Sequence, residues 1–226
     1  MRRDLLTALR AVVVVTILFG LAYPLAVTGV ARVIFPGKSG GSLIRRSGAV
    51  VGSALIGQQF YEAVIGKNGK PETKAGAPVT VPDPRYFQTR PSGTAPADNG
   101  AGSSFANYGP NSTVTLTALQ ANIATYLALN IAPDGHLYDP HLTAARQVPV
   151  DAADTSASGI DPNISVANAE IQAYRIAAVR RNLSLARVDR LVAQYTTGRS
   201  LGFLGEPGVN VLELNLALDR ISHGSR

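Results

Sequence analysis

Three short runs hold residue types that chemistry could use. Gly37-Lys38-Ser39-Gly40-Gly41 has the G-x-S-x-G spacing of a hydrolase nucleophile turn, and Gly37-Lys38-Ser39 has the ending of a phosphate loop. A nucleophilic Ser needs a strand before it and a helix after it to hold the strained turn, and no strand pattern leads into Gly37. The phosphate loop needs its first glycine where Arg32 stands. The other two runs are polar: Ser103-Ser104 with Asn107-Tyr108-Gly109-Pro110-Asn111-Ser112, and Ser156 through Ser165. Asn, Ser and Asp bond their own backbone in turns and cap helices, so structural use comes first and contact with a partner or ligand second. The histidines His136, His141 and His223 sit in polar, Pro/Gly-rich or terminal surroundings. The five-residue spacing of the first two suits no single helix face, so surface positions are expected and no metal site. The chain has no cysteine, which removes disulfides, thiolate metal sites and cysteine nucleophiles. No catalytic constellation emerges.

The elements that must carry these runs begin with a membrane segment. Between Arg10 and Arg32 lie 21 residues without formal charge; as a helix they span about 32 Å, matching a hydrocarbon core of roughly 30 Å. A cleavable signal peptide is the competing reading, but its apolar core is shorter and ends in a small-x-small site. An uncleaved helix over Leu5–Ile34 is therefore expected. Pro24 should bend it, and Gly20, Pro24 and Gly29 form its candidate helix-packing set. The formal net charge of +6 resides entirely in residues 1–46, and the remaining 180 are neutral overall. The basic excess thus flanks the membrane segment and suits lipid headgroups; a nucleic-acid partner, which wants a charged face on the folded part, is not expected. Arginines lie on both sides of the segment, so charge does not decide orientation, although the short N-tail leans toward the cytoplasm.

The expected order is a short tail at 1–10, a transmembrane helix at 11–34, a flexible tether at 35–48 and one folded domain at 49–226. Within the domain, 48–60 reads as one or two strands, 61–113 as loops, and 131–147 as a surface loop. Helices are expected at about Val114–Leu129 (stripe Leu116, Leu119, Ile123, Leu127), after Ser165 (Ile171, Tyr174, Ala178) and after Ser184 (Leu185, Val188, Leu191, Val192, Tyr195). The run from Gly208 to Ile221 alternates like a strand, yet Asn210 and Glu213 resemble a capping pair and Leu214, Leu218 and Ile221 then form a helical stripe, which favours a helix. The fold class is α+β with long ordered loops.

Read in order, several runs resemble the C subunit family of Kdp-type potassium-transporting P-type ATPases. They are Phe60, Asp83-Pro84-Arg85-Tyr86-Phe87, Arg90-Pro91-Ser92, Tyr108 to Ser112, Val148-Pro149-Val150-Asp151, Ser156 to Ser165, Gln172 with Arg175, Leu204-Gly205-Glu206-Pro207 and Val209 to Asp219. The match covers nearly the whole chain. Ala152-Ala153-Asp154-Thr155 and Ser104 to Tyr108 depart from the family pattern, and 62–82 and 131–147 look longer than usual. The resemblance implies a non-catalytic subunit of a pump in the bacterial plasma membrane, single-pass, N-terminus cytoplasmic and bulk extracytoplasmic. Its implied partners are a channel-like potassium-binding subunit, a P-type ATPase subunit and a small single-helix subunit, besides membrane lipid. It implies a role in assembly and a proposed raising of ATP affinity, with Ser156, Ser158, Gly159, Asp161 and Gln172 as the nucleotide stretch. No other cofactor is expected, and an extracytoplasmic domain could not meet cytoplasmic ATP. Phe87, Arg90 and Asn111 are the candidate partner contacts. A membrane-anchored binding protein or enzyme acting alone is the alternative.

Overall fold

The computed structural model describes residues 1–94, 96–102, 107–109 and 111–223, in two compact units that divide after Ser53. In the first, one helical rod of 33 residues runs from Arg2 to Ile34: α1 (Arg2–Ile17), a π-helical turn (Leu18–Ala22) and α2 (Tyr23–Ile34). The widened turn sits just ahead of Pro24 because the proline ring cannot donate an N–H and crowds the carbonyl four residues back. Tyr23 N–H accordingly bonds Leu18 O, one residue further than in an α-helix. No residue of the rod is buried, as a segment meant to be solvated by lipid requires. The expected ten-residue tail is part of this helix from Arg2 onward.

After α3 (Pro36–Ser39), strands β1 (Leu43–Arg46) and β2 (Ala49–Ser53) pair as an antiparallel hairpin. The tether expected at 35–48 is thus only partly a tether. Ser47 and Gly48, at φ 50° and 83°, supply the two left-handed positions that a tight hairpin turn demands, and the Gly/Ser composition was the signature of that turn. The G-x-S-x-G run lies between a helix and a strand, the reverse of a nucleophile turn.

The second unit is α+β. Short strands β3 (Tyr61–Ala63), β4 (Thr73–Lys74), β5 (Ala77–Pro78) and β6 (Thr80–Pro82) form two small antiparallel pairs, β3 with β6 and β4 with β5. Helix α4 (Thr113–Leu129) follows, then a loop to α5 (Val150–Ala153). The remainder is the structural centre: β7 (Asn163–Ser165), α6 (Val166–Val179), α7 (Leu185–Gln194), β8 (Thr196–Thr197), β9 (Gly208–Asn210) and α8 (Val211–His223). The strands form one antiparallel sheet, ordered β7-β9-β8.

The main core gathers Ile164, Ala173, Ile176, Val188, Val192, Val209, Leu214 and Leu218 beneath Phe87. The stripes expected for α7 and α8 face it. The ambiguity at residue 208 resolves into both readings: three residues of strand, then a helix capped by Asn210, whose Oδ1 accepts from Glu213 N–H at 3.1 Å. Two stripes need correction. In α6 the buried face is Asn168, Ala169, Gln172, Ala173, Arg175 and Ile176, while Ile171 and Tyr174 are half-buried and Ala178 is exposed. In α4 only Tyr126 is buried, and Leu116, placed in the stripe from its spacing, lies in solvent.

Candidate functional site

The loop from Asp83 to Ser92 turns at Pro84-Arg85, where Tyr86 N–H bonds Asp83 O at 3.2 Å, and then pairs with no strand over Phe87 and Gln88. Two side-chain amides take the place of a neighbouring strand. Asn215 of α8 accepts from Phe87 N–H and donates to Phe87 O, both at 2.9 Å. Gln172 of α6 accepts from Gln88 N–H at 2.8 Å and donates to Gln88 O at 3.1 Å. An amide presents a donor and an acceptor side by side, as a peptide group does.

Arg175 locks the start of the loop. It donates from Nε to Pro84 O (3.1 Å), from Nη2 to Tyr86 O (2.8 Å) and to Gln172 Oε1 (3.0 Å), and from Nη1 to Asn130 Oδ1 (2.8 Å). Its side chain is wholly buried among neutral oxygens, and burial lowers its pKa to about 10. The outer side of the loop is held by charge. Burial pushes the Asp83 carboxyl up, but the Arg85 side-chain and backbone bonds outweigh it and hold the group below its ordinary value. Tyr86 stacks on Phe60 with ring centroids 5.0 Å apart, lies under the Arg180 guanidinium, and donates to Asp219 at 3.0 Å.

The second polar run closes against the end of this loop. Ser156 Oγ accepts from Gly159 N–H at 3.0 Å and shares a hydrogen bond with Ser158 Oγ. Gly159 sits at φ +73°, and a Cβ there would lie 3.0 Å from Gly93 Cα, so only glycine fits. Its carbonyl accepts from Gly93 N–H (2.9 Å) and Ser92 Oγ (3.1 Å). Asp161 Oδ1 caps Asn163 N–H at 2.9 Å. Gln172, with 1% exposure, has its amide committed to Gln88, Asn168 and Arg175. Of the implied nucleotide stretch, Ser156, Ser158, Gly159 and Asp161 thus support one loop, while Gln172 supports Gln88 from the core.

Of the three candidate contacts, Phe87 is corrected: it is 0% exposed, because an aromatic ring on a loop over a hydrophobic sheet is worth more inside. Arg90 is half-buried, donating to Thr155 O at 3.1 Å. Asn111 is exposed beside Ser112, the N-cap of α4, whose Oγ accepts from Thr115 N–H. A groove of about 300 Å³ is lined by Gly93, Tyr108, Val114, Ala118, Leu119 and Thr155 among others; Arg90 touches that lining through Thr155, and Asn111 is not part of it. Helix α4 has no Asp, Glu, Lys, Arg or His in its 17 positions; Val114, in the groove, and Leu116 are 56% and 55% exposed. Spacing alone missed this face, although a surface helix without a single charge was a legible warning. Ser103, Ser104, Phe105 and Pro110 lie outside the described residues. On the membrane rod, a Cβ at Gly20 would meet only Thr16 of its own helix, and one at Gly29 would meet nothing within 4 Å. His136 and His141 are exposed, and no group of three or more potential metal ligands occurs among the described residues.

Comparison with known proteins agrees with the resemblance. The family described as K+-transporting ATPase, c chain, matches residues 5–220. A protein of Mycobacterium tuberculosis named potassium-transporting ATPase KdpC subunit is 42% identical over 221 residues, 98% of this chain and 100% of its own length. Proteins of the same name from Methylococcus capsulatus (45% over 215 residues, 95% and 96% covered) and Herpetosiphon aurantiacus (41% over 222 residues, 98% of each) are similarly close.

Proposed function

Because the chain belongs to the K+-transporting ATPase c chain family, we propose that its part in the pump is non-catalytic assembly through two surfaces, one in the membrane and one outside it. The observation that carries this is the outer face of α4: an uncharged surface helix with Val114 and Leu116 in solvent. Scattered exposed apolar residues are ordinary, but an uncharged surface helix whose Val114 and Leu119 also line a groove suits a protein contact. Tyr108 in the groove and Arg90, bonded to Thr155 of its lining, add residue types that anchor interfaces. The partner is another subunit of the same pump, the channel-like subunit first. In the membrane, Gly20 and Gly29 leave open space at which a neighbouring helix can approach, where van der Waals contact replaces hydrophobic drive.

The proposed topology is single-pass with the N-terminus in the cytoplasm and residues 54–226 outside. Direct ATP contact draws no support from the implied stretch: its hydroxyls and amide are occupied by the loop and core bonds described above, and no chain of glycine amides there forms an open phosphate cradle. An effect on ATP affinity would then pass through the assembled complex.

The test is purification of the pump with this chain wild type, absent, or carrying Leu116→Glu. Expected are intact complexes only with the wild type, and loss of pump-dependent growth at low potassium in the other two. A pump lacking the chain that transports potassium with normal rate and affinity would overturn the assembly role.

A further inference from the structure

The hairpin joining β8 to β9 ends in an apolar tip that the assembly surface above does not include. Leu201, Phe203 and Leu204 are 81%, 68% and 49% exposed. Leu201 stands at φ +53°, a left-handed position that a side-chain-bearing residue other than Asn or Asp rarely takes. The tip is therefore unfavourable twice over in water, in backbone and in side chain, which points to a use for it. Its shape is fixed: Ser200 and Leu204 exchange backbone hydrogen bonds at 2.8 and 2.9 Å, Gly202 N–H bonds Arg199 O at 3.1 Å, and Arg199 grips Glu206 with two bonds of 2.9 and 2.7 Å at its base.

The hairpin is rooted where the chain enters this unit. Asn210, the last residue of β9, donates to Ala54 O at 2.9 Å, and Ala54 is covalently joined to the unit that bears the membrane helix. Gly202 lies eight residues from Asn210, at most about 27 Å along even a fully extended chain. We infer that this tip rests in the interfacial layer of the lipid surface that the chain's own helix enters. Lipid suits it better than a second protein. Three projecting apolar side chains need a yielding apolar medium, whereas a protein partner would have to offer three matching pockets. The tip's bonded backbone lowers the cost of leaving water, and Arg199 with Glu206 stands where headgroups would be. The covalent leash keeps the effective concentration on the order of millimolar, so a weak contact is populated.

The inference rests on the helix being membrane-inserted, and the experiment separates the two. The chain has no cysteine, so full-length protein in phosphatidylcholine/phosphatidylglycerol vesicles can carry one polarity-sensitive label at Leu201→Cys, Val150→Cys or Val13→Cys. Val150 is 75% exposed elsewhere on the same unit. With nitroxide-bearing lipids, the labels at 13 and 201 should shift to the blue and lose most of their intensity, while that at 150 should not. Adding Phe203→Ser and Leu204→Ser should restore the signal at 201. If 13 is quenched and 201 behaves like 150, the inference fails and the anchor stands. If 13 stays aqueous, both fall. Quenching at 201 that survives the double Ser change is dye-driven and overturns the inference, as does a blue shift seen only when the other pump subunits are present.

Discussion

Helices α4 and α6 start alike and end up opposite. Each opens on a serine whose hydroxyl accepts the N–H three residues on, Ser112 for Thr115 and Ser165 for Asn168. Helix α6 carries Asn168, Gln172 and Arg175 and buries all three to 1% exposure or less. Helix α4 has no charge, yet it leaves Val114 and Leu116 in water. The polar helix is inside because its side chains do backbone work: Gln172 and Arg175 supply the hydrogen bonds that an extended loop would otherwise take from a strand. The apolar helix is outside because its inner face is already served by Asn122, whose amide donates to Ala153 O at 2.8 Å, and by Tyr126, which donates to Asn168 at 3.0 Å. What the contrast teaches is that buried polar side chains in this domain stand in for a missing strand, while an uncharged helix can still leave Val114 and Leu116 in water.

The hardest way to break that contrast is to remove Arg175. Arg175→Met should cost about 3–5 kcal/mol, because Pro84 O, Tyr86 O and Asn130 Oδ1 lose this donor and Gln172 Oε1 loses one of two, at about 1–3 kcal/mol for each fully buried group, offset in part by the relief of an unpaired buried charge. Arg175→Lys should fall between, since an ammonium cannot span the same fork. Urea unfolding of the full chain in detergent, followed by near-UV dichroism, reads this directly; unchanged midpoints would mean the loop is held by packing alone.

Gln172→Ala comes next, at about 2–3 kcal/mol, from two loop bonds and the acceptor it offers Arg175. The same variant separates the two uses implied for that residue. Its midpoint in urea should drop while ATP protects neither the variant nor the wild type from unfolding. Protection of the wild type by ATP that the variant loses would place nucleotide at α6 after all.

For α4 the expectation reverses. Leu116→Glu should move stability by less than about 0.5 kcal/mol, the usual range for a surface change, while complex recovery falls sharply. Gly20→Leu should likewise spare the soluble unit and weaken recovery through the membrane rod. A variant at Leu116 that unfolds the domain, or one that copurifies normally, would remove α4 from the interface.

Much of this was legible in the residues. The helical rod follows from its uncharged run and the caps at Ser165 and Asn210 from residue type; the stripes of α7 and α8 follow from periodicity, because in those two helices apolar residues do face the core. Periodicity failed at α6 and α4 for one reason: it scores apolar side chains as inward, and here Gln172 and Arg175 of α6 and Asn122 and Tyr126 of α4 are the inward ones. Phe87 was misplaced by the same habit in reverse, an aromatic in a polar loop being assigned to a surface. No spacing rule could show that Gly159 must admit Gly93, since those positions are 66 residues apart.

Among the described residues, three buried polar atoms break the pattern of satisfied polarity, Thr89 Oγ1 and Arg90 Nε in the loop and Asp98 Oδ2 near it, and the last sharpens the comparison most gently. Asp98 Oδ2 is buried without a partner, in a residue at φ +57°. Burial raises its carboxyl above the ordinary value, and bonds from Ser92 and the Gln59 backbone only partly offset this. The native state therefore keeps the Asp98 proton to a higher pH than the unfolded chain, whose value is about 3.9. Across that interval the native form binds more protons, so this group's contribution falls as pH rises, and its penalty is complete above the native value. Asp98→Asn removes the ionisation and keeps a residue tolerant of the left-handed region. Because the group is only partly buried, solvent screens it, and the gain should be small: about 2 °C in Tm at pH 7, the shift that roughly 0.5–1 kcal/mol makes in a chain of this size. The advantage should shrink toward zero as pH falls through the raised value into the ordinary aspartate range. An advantage that stays constant between pH 7 and pH 4 would assign it to backbone preference and leave the Asp98 carboxylate without a cost.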